Sequence, residues 1–296
     1  MTGRHILAID GGGTKTRAAL AQSDGLVIAH ATGAFSNLTS DFDGSLRNIE
    51  TVISAVYDAA GVPLESRTND VAIIGSAGAN VGDVADRLAA ALRFAAVRVM
   101  SDREITVAGI LADGDGTLAQ VGTGSFFVSR HRGVLKQVGG WGLQLGDDCS
   151  GAWLGRELLR LALRAHDGLV ETTDLLTHTL ARFSNNPSDI VLFGKTATPQ
   201  NYGEFAPAIF DAHEAGDRGA AMIIDQALRD LETILRSIDA IKTGKLYLSG
   251  SVGKRYASLL SEDLRALVQP SSGDGLSGAV GLGLELVRHL PAVRSG

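Results

Sequence analysis

The sequence predicts an α/β protein made of two similar lobes. Its 296 residues exceed the roughly 100–200 residues of one typical domain. Short apolar runs typical of strands alternate with stretches in which apolar residues recur at helical spacing. A unit of strand, glycine-rich turn and strand begins near residue 5 and again near residue 118. We therefore expect an N-terminal lobe at residues 1–112 and a C-terminal lobe at 113–276, with a final helix over about 277–296 that packs back on the first lobe.

The first lobe is predicted to open with an antiparallel meander. An apolar run ends at Asp10 and a turn signal stands at 23–25, so strands are expected at 5–10, 17–21 and 26–30. The first glycine cluster thus lies between two strands and not at the start of a helix. Apolar residues at helical spacing predict a helix from Phe42 to Ala60, ended by Gly61. The remaining predictions are a strand at 71–74, a helix at 84–92 and a strand at 97–100.

The second lobe repeats this order. Strands are predicted at 118–121, 126–130 and 134–138, with a second glycine turn at 122–125. Helices are predicted at about 150–165 and, as one long helix ended by Gly244, at 217–243. A strand at 246–248 and a last helix at about 277–289 complete the pattern. The matching order of the two halves predicts a duplicated sheet.

Composition excludes several classes of function. The net charge of −6 and a pI of about 5.6 argue against a nucleic-acid or anionic-membrane partner, since both require a basic surface. One cysteine, Cys149, cannot form an internal disulfide or a four-cysteine zinc site. The apolar stretch at 5–9 is too short for a signal-peptide core, and no run reaches the ~20 apolar residues of a membrane span. We expect a cytoplasmic protein without a nucleic-acid or membrane partner.

The two glycine turns predict binding of nucleotide phosphates. Glycine lets backbone N–H groups approach phosphate oxygens without a Cβ in the way. The dinucleotide pattern fails because Thr16 stands where its third glycine would be, and the P-loop pattern fails because Lys15 follows Thr14 and not glycine. An ordinary hairpin turn remains the alternative for each cluster. Their occurrence at equivalent places in both lobes favours a pair of loops that hold the β- and γ-phosphates between them.

Three motifs resemble those of the sugar kinase/Hsp70/actin ATPase superfamily. Residues 10–16 (DGGGTKT) resemble its first phosphate loop, 120–125 (QVGTGS) the second, and 248–252 (LSGSV) its adenosine motif. The resemblance implies a two-lobed ribonuclease-H-like (actin-like ATPase) fold with a duplicated mixed-sheet core and a cleft between the lobes. It also implies ATP and Mg²⁺ as cofactors in that cleft.

Further motifs resemble one branch of this superfamily. Residues 139–142 (GGWG), 145–148 (LGDD) and 150–152 (SGA) are similar to the N-acetylglucosamine kinase branch, which belongs to the BadF/BadG/BcrA/BcrD ATPase family. The stretch 195–210 is similar to bacterial glucosamine kinases. Activators in the same group hold an iron–sulfur cluster with two cysteines from each subunit. A chain with Cys149 alone cannot supply that set.

The candidate base is Asp102, which follows the strand at 97–100 and matches the family position of the kinase base. A cap for a helix at 103–112 is the alternative. Asp10 is expected to orient the hydration shell of Mg²⁺, with an Asx turn as the alternative. The resemblance implies ATP and phosphate contacts at Asp10, Gly11, Gly12, Gly13, Thr14, Lys15, Thr16, Gly122, Thr123, Gly124, Gly250 and Ser251. It implies sugar contacts at Asn37, Gly78, Asp102, Thr123, Gly124, Trp141, Gly142 and Asp147.

The sequence therefore predicts an ATP-dependent amino-sugar kinase that phosphorylates the 6-hydroxyl of glucosamine. N-acetylglucosamine is the alternative acceptor, and a non-kinase ATPase switch or activator is the alternative class. A homodimer is possible, because family members are often dimers. Three residues depart from the family pattern and bear on sugar preference: Arg103 and Glu104, which replace small residues, and Cys149, which stands where relatives often have glycine.

Overall fold

The chain divides into two units of dense internal contact. A computed structural model describes residues 4–13, 15–271 and 273–290. One unit comprises Met1–Asp113 together with Ser272–Gly296, and the other comprises Gly114–Ser271. The first unit is thus discontinuous in sequence, because the chain returns to it after completing the second.

The first unit is built on a five-stranded mixed sheet with strand order β3-β2-β1-β4-β5. Strands β1, β2 and β3 form an antiparallel meander, whereas β1, β4 and β5 run parallel. Nearly every residue of β1 and β4 is buried, as expected for central strands covered on both faces. The strands are β1 His5–Gly11, β2 Thr16–Gln22, β3 Val27–Gly33, β4 Val71–Ser76 and β5 Ala96–Met100.

Two α-helices lie between the strands of this unit, α1 Phe42–Ala60 and α2 Val84–Ala91, with a 3₁₀ turn at Leu64–Asn69, and α3 Asp102–Leu111 follows β5. Helix α1 starts after Asp41, whose side chain accepts a hydrogen bond from the Gly44 amide. It ends at Gly61, whose φ of 65° lies in the left-handed region that glycine adopts without strain. The apolar positions that predicted α1 form its buried face.

The second unit has a four-stranded sheet with strand order β8-β7-β6-β9. Its meander of β6, β7 and β8 and its parallel pair of β6 and β9 repeat the arrangement of β3-β2-β1-β4. The predicted α/β class with a duplicated mixed sheet is confirmed. The strands are β6 Gly116–Val121, β7 Ser125–His131, β8 Val134–Gly139 and β9 Leu246–Ser249.

Helices form the rest of the second unit, and one prediction about them was wrong. The stretch 217–243, predicted as one helix, is two, because Asp239 has φ 63° and this left-handed residue ends the first and begins the second. The helices between 174 and 214 were not predicted individually. The set is α4 Gly151–His166, α5 Asp174–Arg182, α6 Pro187–Thr196, α7 Pro199–Gly203, α8 Ala206–Glu214, α9 Arg218–Ser237, α10 Ala240–Thr243, α11 Ser251–Tyr256 and α12 Glu262–Arg265.

The last helix, α13 (Gly275–Arg288), lies in the first unit and packs on α3 and β1. The crossing of α3 and α13 is very close. A Cβ on Gly278 would overlap the carbonyl oxygen of Ile105, and it would lie 2.9 Å from the Cα of Gly109. Glycine is required there because backbone meets backbone. The predicted final helix extends to residue 296, and its part beyond 290 lies outside the described residues. Among the described helices, none has the length and apolar character needed to cross a bilayer.

Candidate active site

The carboxyl edge of the first sheet brings several predicted site residues together. Strands β1, β4 and β5 are parallel and in register there: Asp10 lies opposite Gly75, and Gly75 lies opposite Met100. The segments that leave these strands carry the first glycine loop, Gly78 and Asp102. Ligands of open α/β sheets bind outside this edge, so the topology places the predicted loop, sugar and base residues where a ligand can be held.

The first glycine loop is held from behind by backbone hydrogen bonds. The Gly11 carbonyl accepts from the Ala77 amide at 2.9 Å, and the Gly12 carbonyl accepts from the Ser36 amide at 2.9 Å. The Gly12 amide donates to the Lys15 carbonyl at 3.0 Å. No described heavy atom lies within 4 Å of a Cβ built on Gly13, so this glycine borders open space. Lys15 is exposed beside it, and Thr14 lies outside the described residues.

Thr16 is buried beneath this loop. Its hydroxyl oxygen lies 2.6 Å from the Ala34 carbonyl oxygen and 2.8 Å from Ser36 Oγ. Thr16 and Ser36 are both buried, and these hydrogen bonds anchor the 34–36 segment to β2. The hydroxyl of Thr16 is therefore not placed to contact a phosphate at the surface.

Asp10 is bound by Arg17, which also binds Asp274, and the sequence motifs connect neither residue to Asp10. Arg17 stands directly opposite Asp10 across the β1–β2 hairpin, and its Nη2 donates to Asp10 Oδ2. Arg17 Nη1 also donates to Asp274 Oδ2 at 2.7 Å. Burial alone would lower the pKa of Arg17, but the hydrogen bonds and charges of both carboxylates outweigh it and raise that pKa. The hairpin register could have revealed Arg17, whereas nothing local to the loop points to Asp274.

Asp102 is the first residue of α3, and its carboxylate is not the helix cap. Ser101 is the N-cap: its hydroxyl accepts from the Glu104 amide, and Glu104 Oε2 accepts from the Ser101 amide at 2.9 Å. Glu104 is thereby engaged in a capping box, and this capping role gives a structural reason for the glutamate, which departs from the family pattern. Burial raises the pKa of Asp102, the charge of Arg103 opposes this, and the charge of Asp10 adds to the rise. The structure leaves Asp102 as a partly buried carboxylate with elevated proton affinity.

Asn37 and Gly78 lie in neighbouring segments at the same edge. Asn37 pairs with Ala77 in an isolated parallel bridge. Its side-chain Oδ1 accepts from Thr39 Oγ1 at 2.9 Å and from the Thr39 amide at 3.2 Å, so its amide nitrogen is the group left to donate to a ligand. Gly78 has φ 80°, and a Cβ there would lie 2.7 Å from Thr39 Oγ1. Only glycine fits this turn.

The second glycine turn joins β6 and β7 and is fixed to the start of α4. The Gly122 carbonyl accepts from the Gly151 amide at 2.8 Å, and the Thr123 carbonyl accepts from the Ala152 amide at 3.0 Å. Because the turn occupies these first-turn amides of α4, they do not face a ligand. A Cβ on Gly122 would have no described atom within 4 Å. The turn is thus held in place by hydrogen bonds to α4, while Gly122 borders open space.

The predicted adenosine motif lies directly beside this turn. Parallel pairing sets Gln120 of β6 opposite Ser249 of β9, so both strands end together. Gly250 follows with φ 83°, and a Cβ there would lie 3.0 Å from the Gly122 amide nitrogen and closer still to the Val121 carbonyl. Ser251 then begins α11. The second unit therefore brings Gly122 and Gly250, which are far apart in sequence, to one edge of its sheet.

Helix α7, within the stretch similar to glucosamine kinases, supports the same turn. The Cα of Gly203 lies 3.6 Å from the position a Cβ would take on Gly151. A Cβ on Gly203 would lie 3.7 Å from the Thr123 methyl carbon. This stretch contacts the second glycine turn through Gly203, so its residues have a packing role.

Asp147 is buried behind the second glycine turn. Its Oδ1 accepts from the Ser125 amide at 3.3 Å, and its Oδ2 would lie 3.0 Å from a Cβ on Gly124. Asp147 has φ 55° and Cys149 has φ 62°, so both stand in the left-handed region. Glycine suits such a position better than cysteine does, which agrees with the glycine of the family pattern, and nothing in the structure explains the cysteine of this chain. Burial raises the pKa of the Cys149 thiol well above its usual value.

Trp141 lies on an exposed turn of the second unit. Its side chain is 76% exposed, which excludes a core role. Gly142 has φ 81°, and its carbonyl accepts from the Gly146 amide at 2.8 Å, closing the turn. An exposed indole can offer an apolar face and one N–H donor to a sugar ring.

The residues near the first glycine loop suit a magnesium ion that is held mainly by the phosphates of a nucleotide. Within the described ranges, no cluster of three or more His, Cys, Asp or Glu side chains could hold a metal ion. Magnesium is usually bound through one or two carboxylates, waters and substrate phosphates, and not in an all-protein cage. Asp10 beside an open glycine loop fits that requirement.

The family model for BadF/BadG/BcrA/BcrD ATPases matches residues 7–281. The chain belongs to this family. The family prediction is thereby confirmed, and the family name implies use of ATP. Glucosamine kinase GspK of Vibrio cholerae is 26% identical over 277 residues, covering 93% of this chain and 94% of that protein.

Solved structures agree with the predicted fold. A Chromobacterium violaceum protein described as an N-acetylglucosamine kinase has a TM-score of 0.87 at 27% identity, covering 96% of this chain and 100% of that one. A ROK family glucokinase of Streptomyces griseus has a TM-score of 0.56 at 16% identity, covering 94% and 98%. The latter likeness shows the fold alone. The two-lobed fold of actin-like sugar kinases is confirmed.

Proposed function

We propose that this chain is an ATP-dependent kinase of an amino sugar, transferring the γ-phosphoryl group to the 6-hydroxyl of glucosamine. The observation that carries the proposal is Asp102. It is a partly buried carboxylate at the carboxyl edge of a sheet, released from capping by Ser101 and Glu104. The relative of nearly equal length is named a glucosamine kinase. N-acetylglucosamine is the alternative acceptor, because the C. violaceum structure carries that description.

Asp102 would act as the general base. It accepts the proton of the sugar 6-hydroxyl as that oxygen attacks the γ-phosphorus, and the bond from the γ-phosphorus to the β,γ-bridging oxygen breaks to release ADP. Burial raises its pKa, which makes it a better proton acceptor than an ordinary exposed Asp. The amide nitrogen of Asn37 and the indole of Trp141 are assigned to the sugar.

The glycine loops would hold the nucleotide. The Gly12 amide is paired with the Lys15 carbonyl and the Gly122 amide with the Gly124 carbonyl, so the amides of Gly13, Thr123 and Gly124 would donate to phosphate oxygens. Lys15 would add a charge, and the Gly250–Ser251 turn would contact the adenosine. Magnesium, when bound, neutralises charge on the phosphate oxygens. Asp10 would accept hydrogen bonds from the waters of that ion. The homodimer remains a prediction, which size-exclusion chromatography with light scattering can test.

A screen for ADP release tests the proposal directly. Wild-type protein is incubated with Mg·ATP and glucosamine, N-acetylglucosamine, glucose or 6-deoxyglucosamine. Stimulation by an amino sugar with a 6-hydroxyl, and not by the 6-deoxy compound, supports the kinase. ATP turnover that no hexosamine changes would refute it and favour the ATPase switch.

Two carboxylate variants then test the assignment of the base. Asp102→Asn should lower kcat by about 10²–10⁴-fold while ATP still binds, since that is the usual contribution of a general base. Asp86→Asn is the matched control, because Asp86 is an exposed acid in the first turn of α2 in the same unit. Near-normal turnover of Asp102→Asn would remove Asp102 from the mechanism.

A further inference from the structure

A bridge of one arginine and two carboxylates connects the first glycine loop to the start of α13. Arg17 Nη2 donates to Asp10 Oδ2, and Arg17 Nη1 donates to Asp274 Oδ2 at 2.7 Å. All three side chains are partly shielded: Asp10 is 20% exposed, Arg17 34% and Asp274 47%. A guanidinium that donates from two nitrogens and is partly shielded from water fixes the positions of its carboxylate partners better than a fully exposed ion pair does.

Asp274 is a fixed anchor for this bridge. It is the N-cap of α13, and its Oδ1 accepts from the Ser277 amide at 3.0 Å. The Ser277 hydroxyl accepts from the Asp274 amide at 2.8 Å, which completes a capping box. The cap amide and Arg17 together outweigh burial and lower the pKa of Asp274. One oxygen of Asp274 therefore orders the helix, while the other orders Arg17.

Asp10 is held against the same helix start. A Cβ on Gly275, the first residue of α13, would lie 3.1 Å from the Asp10 carboxyl carbon, so a side chain there would press on the carboxylate. The positive end of a helix dipole favours a negative charge there. Arg17 engages Oδ2 of this carboxylate, which leaves the role toward a ligand to Oδ1.

We propose that Arg17 is a positioning residue of the nucleotide site. By bridging Asp10 Oδ2 to the capped carboxylate of Asp274, it fixes the Asp10 carboxylate so that Oδ1 serves the hydrated magnesium ion of ATP. This rests on the proposed function only in that the ligand is Mg·ATP. A planar guanidinium can bridge two carboxylates at once, whereas a lysine ammonium lacks that fork.

Binding measured over a magnesium titration tests this role without any sugar. The readout is the Mg²⁺ concentration that gives half of the full gain in ATP affinity, with ATP binding in EDTA measured separately. Arg17→Gln should raise this concentration about tenfold, the effect of losing one charge-assisted hydrogen bond, while the affinity for ATP in EDTA falls by no more than about twofold. Arg17→Lys should recover part of the loss. Asp274→Asn, which keeps a good N-cap but loses the charge, should fall between wild type and Arg17→Gln.

Arg67→Gln is the matched control. Arg67 forms a comparable partly buried ion pair with Glu50 at 2.7 Å in the same unit, away from the glycine loop. It should lower the melting temperature as Arg17→Gln does and leave the magnesium titration unchanged. If Arg17→Gln behaves like Arg67→Gln, the bridge is structural only and the proposal is wrong. If Arg17→Gln lowers the magnesium requirement, Arg17 competes with the ion, which also overturns it.

The two proposals fail separately. A wild-type chain that binds Mg·ATP but phosphorylates no amino sugar loses the proposed function, while the role of Arg17 is still decided by the titration. A wild-type chain whose ATP affinity is the same in Mg²⁺ and in EDTA has no magnesium ion for Asp10 to orient. That result would refute the positioning role.

Discussion

Replacing Gly278 with alanine should force α3 and α13 apart. The new Cβ would overlap the Ile105 carbonyl oxygen, and it would lie 2.5 Å from the amide nitrogen and 2.9 Å from the Cα of Gly109. These atoms belong to the backbone of α3, so no side-chain rotation relieves the overlap. Overpacking costs about 1–3 kcal/mol, and rigid backbone partners place this site in the upper part of that range. Alanine regains up to ~1 kcal/mol of helix propensity, so we expect a net loss of about 1–2 kcal/mol.

Gly281→Ala is the matched control on the same helix. Apart from its own helix, no described heavy atom lies within 4 Å of a Cβ at Gly281, and the residue is exposed. The substitution should therefore stabilise the chain by about 0.5–1 kcal/mol, since alanine restricts the unfolded chain and favours a helix. The two variants differ from wild type by the same methyl group on the same helix, so their opposite signs isolate the helix crossing.

Thermal unfolding followed by circular dichroism measures both effects. A change of 1 kcal/mol shifts the melting temperature of a unit of this size by roughly 2–4 °C, so Gly278→Ala should melt about 2–8 °C lower. Its kcat should also fall, because the displaced helix carries Asp102 at its first residue. A Gly278→Ala protein that melts at or above the temperature of Gly281→Ala would refute the close crossing of the two helices.

The remaining predictions concern Asp102, Gly13 and Cys149. Because burial raises the pKa of Asp102, its ionised form is less favourable in the folded than in the unfolded chain, so Asp102→Asn should raise the melting temperature at pH 7. The difference in melting temperature between Asp102→Asn and wild type should shrink as the pH falls through the raised pKa of Asp102. A variant that melts below wild type at pH 7 would contradict this reasoning. Gly13→Val should leave the melting temperature unchanged, since Gly13 borders open space. It should weaken Mg·ATP binding, measured by calorimetry, at least about tenfold. An unchanged affinity would show that the loop is an ordinary hairpin turn. The buried Cys149 thiol should react with a chromogenic disulfide reagent only after denaturation, and rapid labelling of the native protein would show that it is accessible.

Local patterns predicted most elements because they depend on neighbouring residues. Helix α1 was predicted at the bounds observed, since its apolar face and the left-handed Gly61 are both local features. The break at Asp239 was missed because the apolar spacing continues through it, with Ile238 fully buried. A left-handed aspartate has no strong signature in sequence, so the boundary became visible only in the backbone.

The candidate site divides in the same way. The two glycine loops were recognisable because backbone phosphate binding requires glycine in a short, contiguous segment. Asp102 was recognisable by its place after a strand, but whether it capped α3 depended on Ser101 and Glu104. The burial of Thr16 was not predictable, because a threonine in a loop motif reads the same whether its hydroxyl faces inward or outward.

The sequence alone determined the α/β class, the duplication and the family, because these follow from periodicity and from motifs of a few adjacent residues. Tertiary structure decided which groups meet. Asp274 reaches Arg17 across 257 positions, and Gly250 reaches Gly122 through the pairing of β6 with β9. Such contacts arise from parallel strands and returning helices, whose partners are set by packing. The orientation of Asp10 by Arg17 is therefore a property of the folded chain.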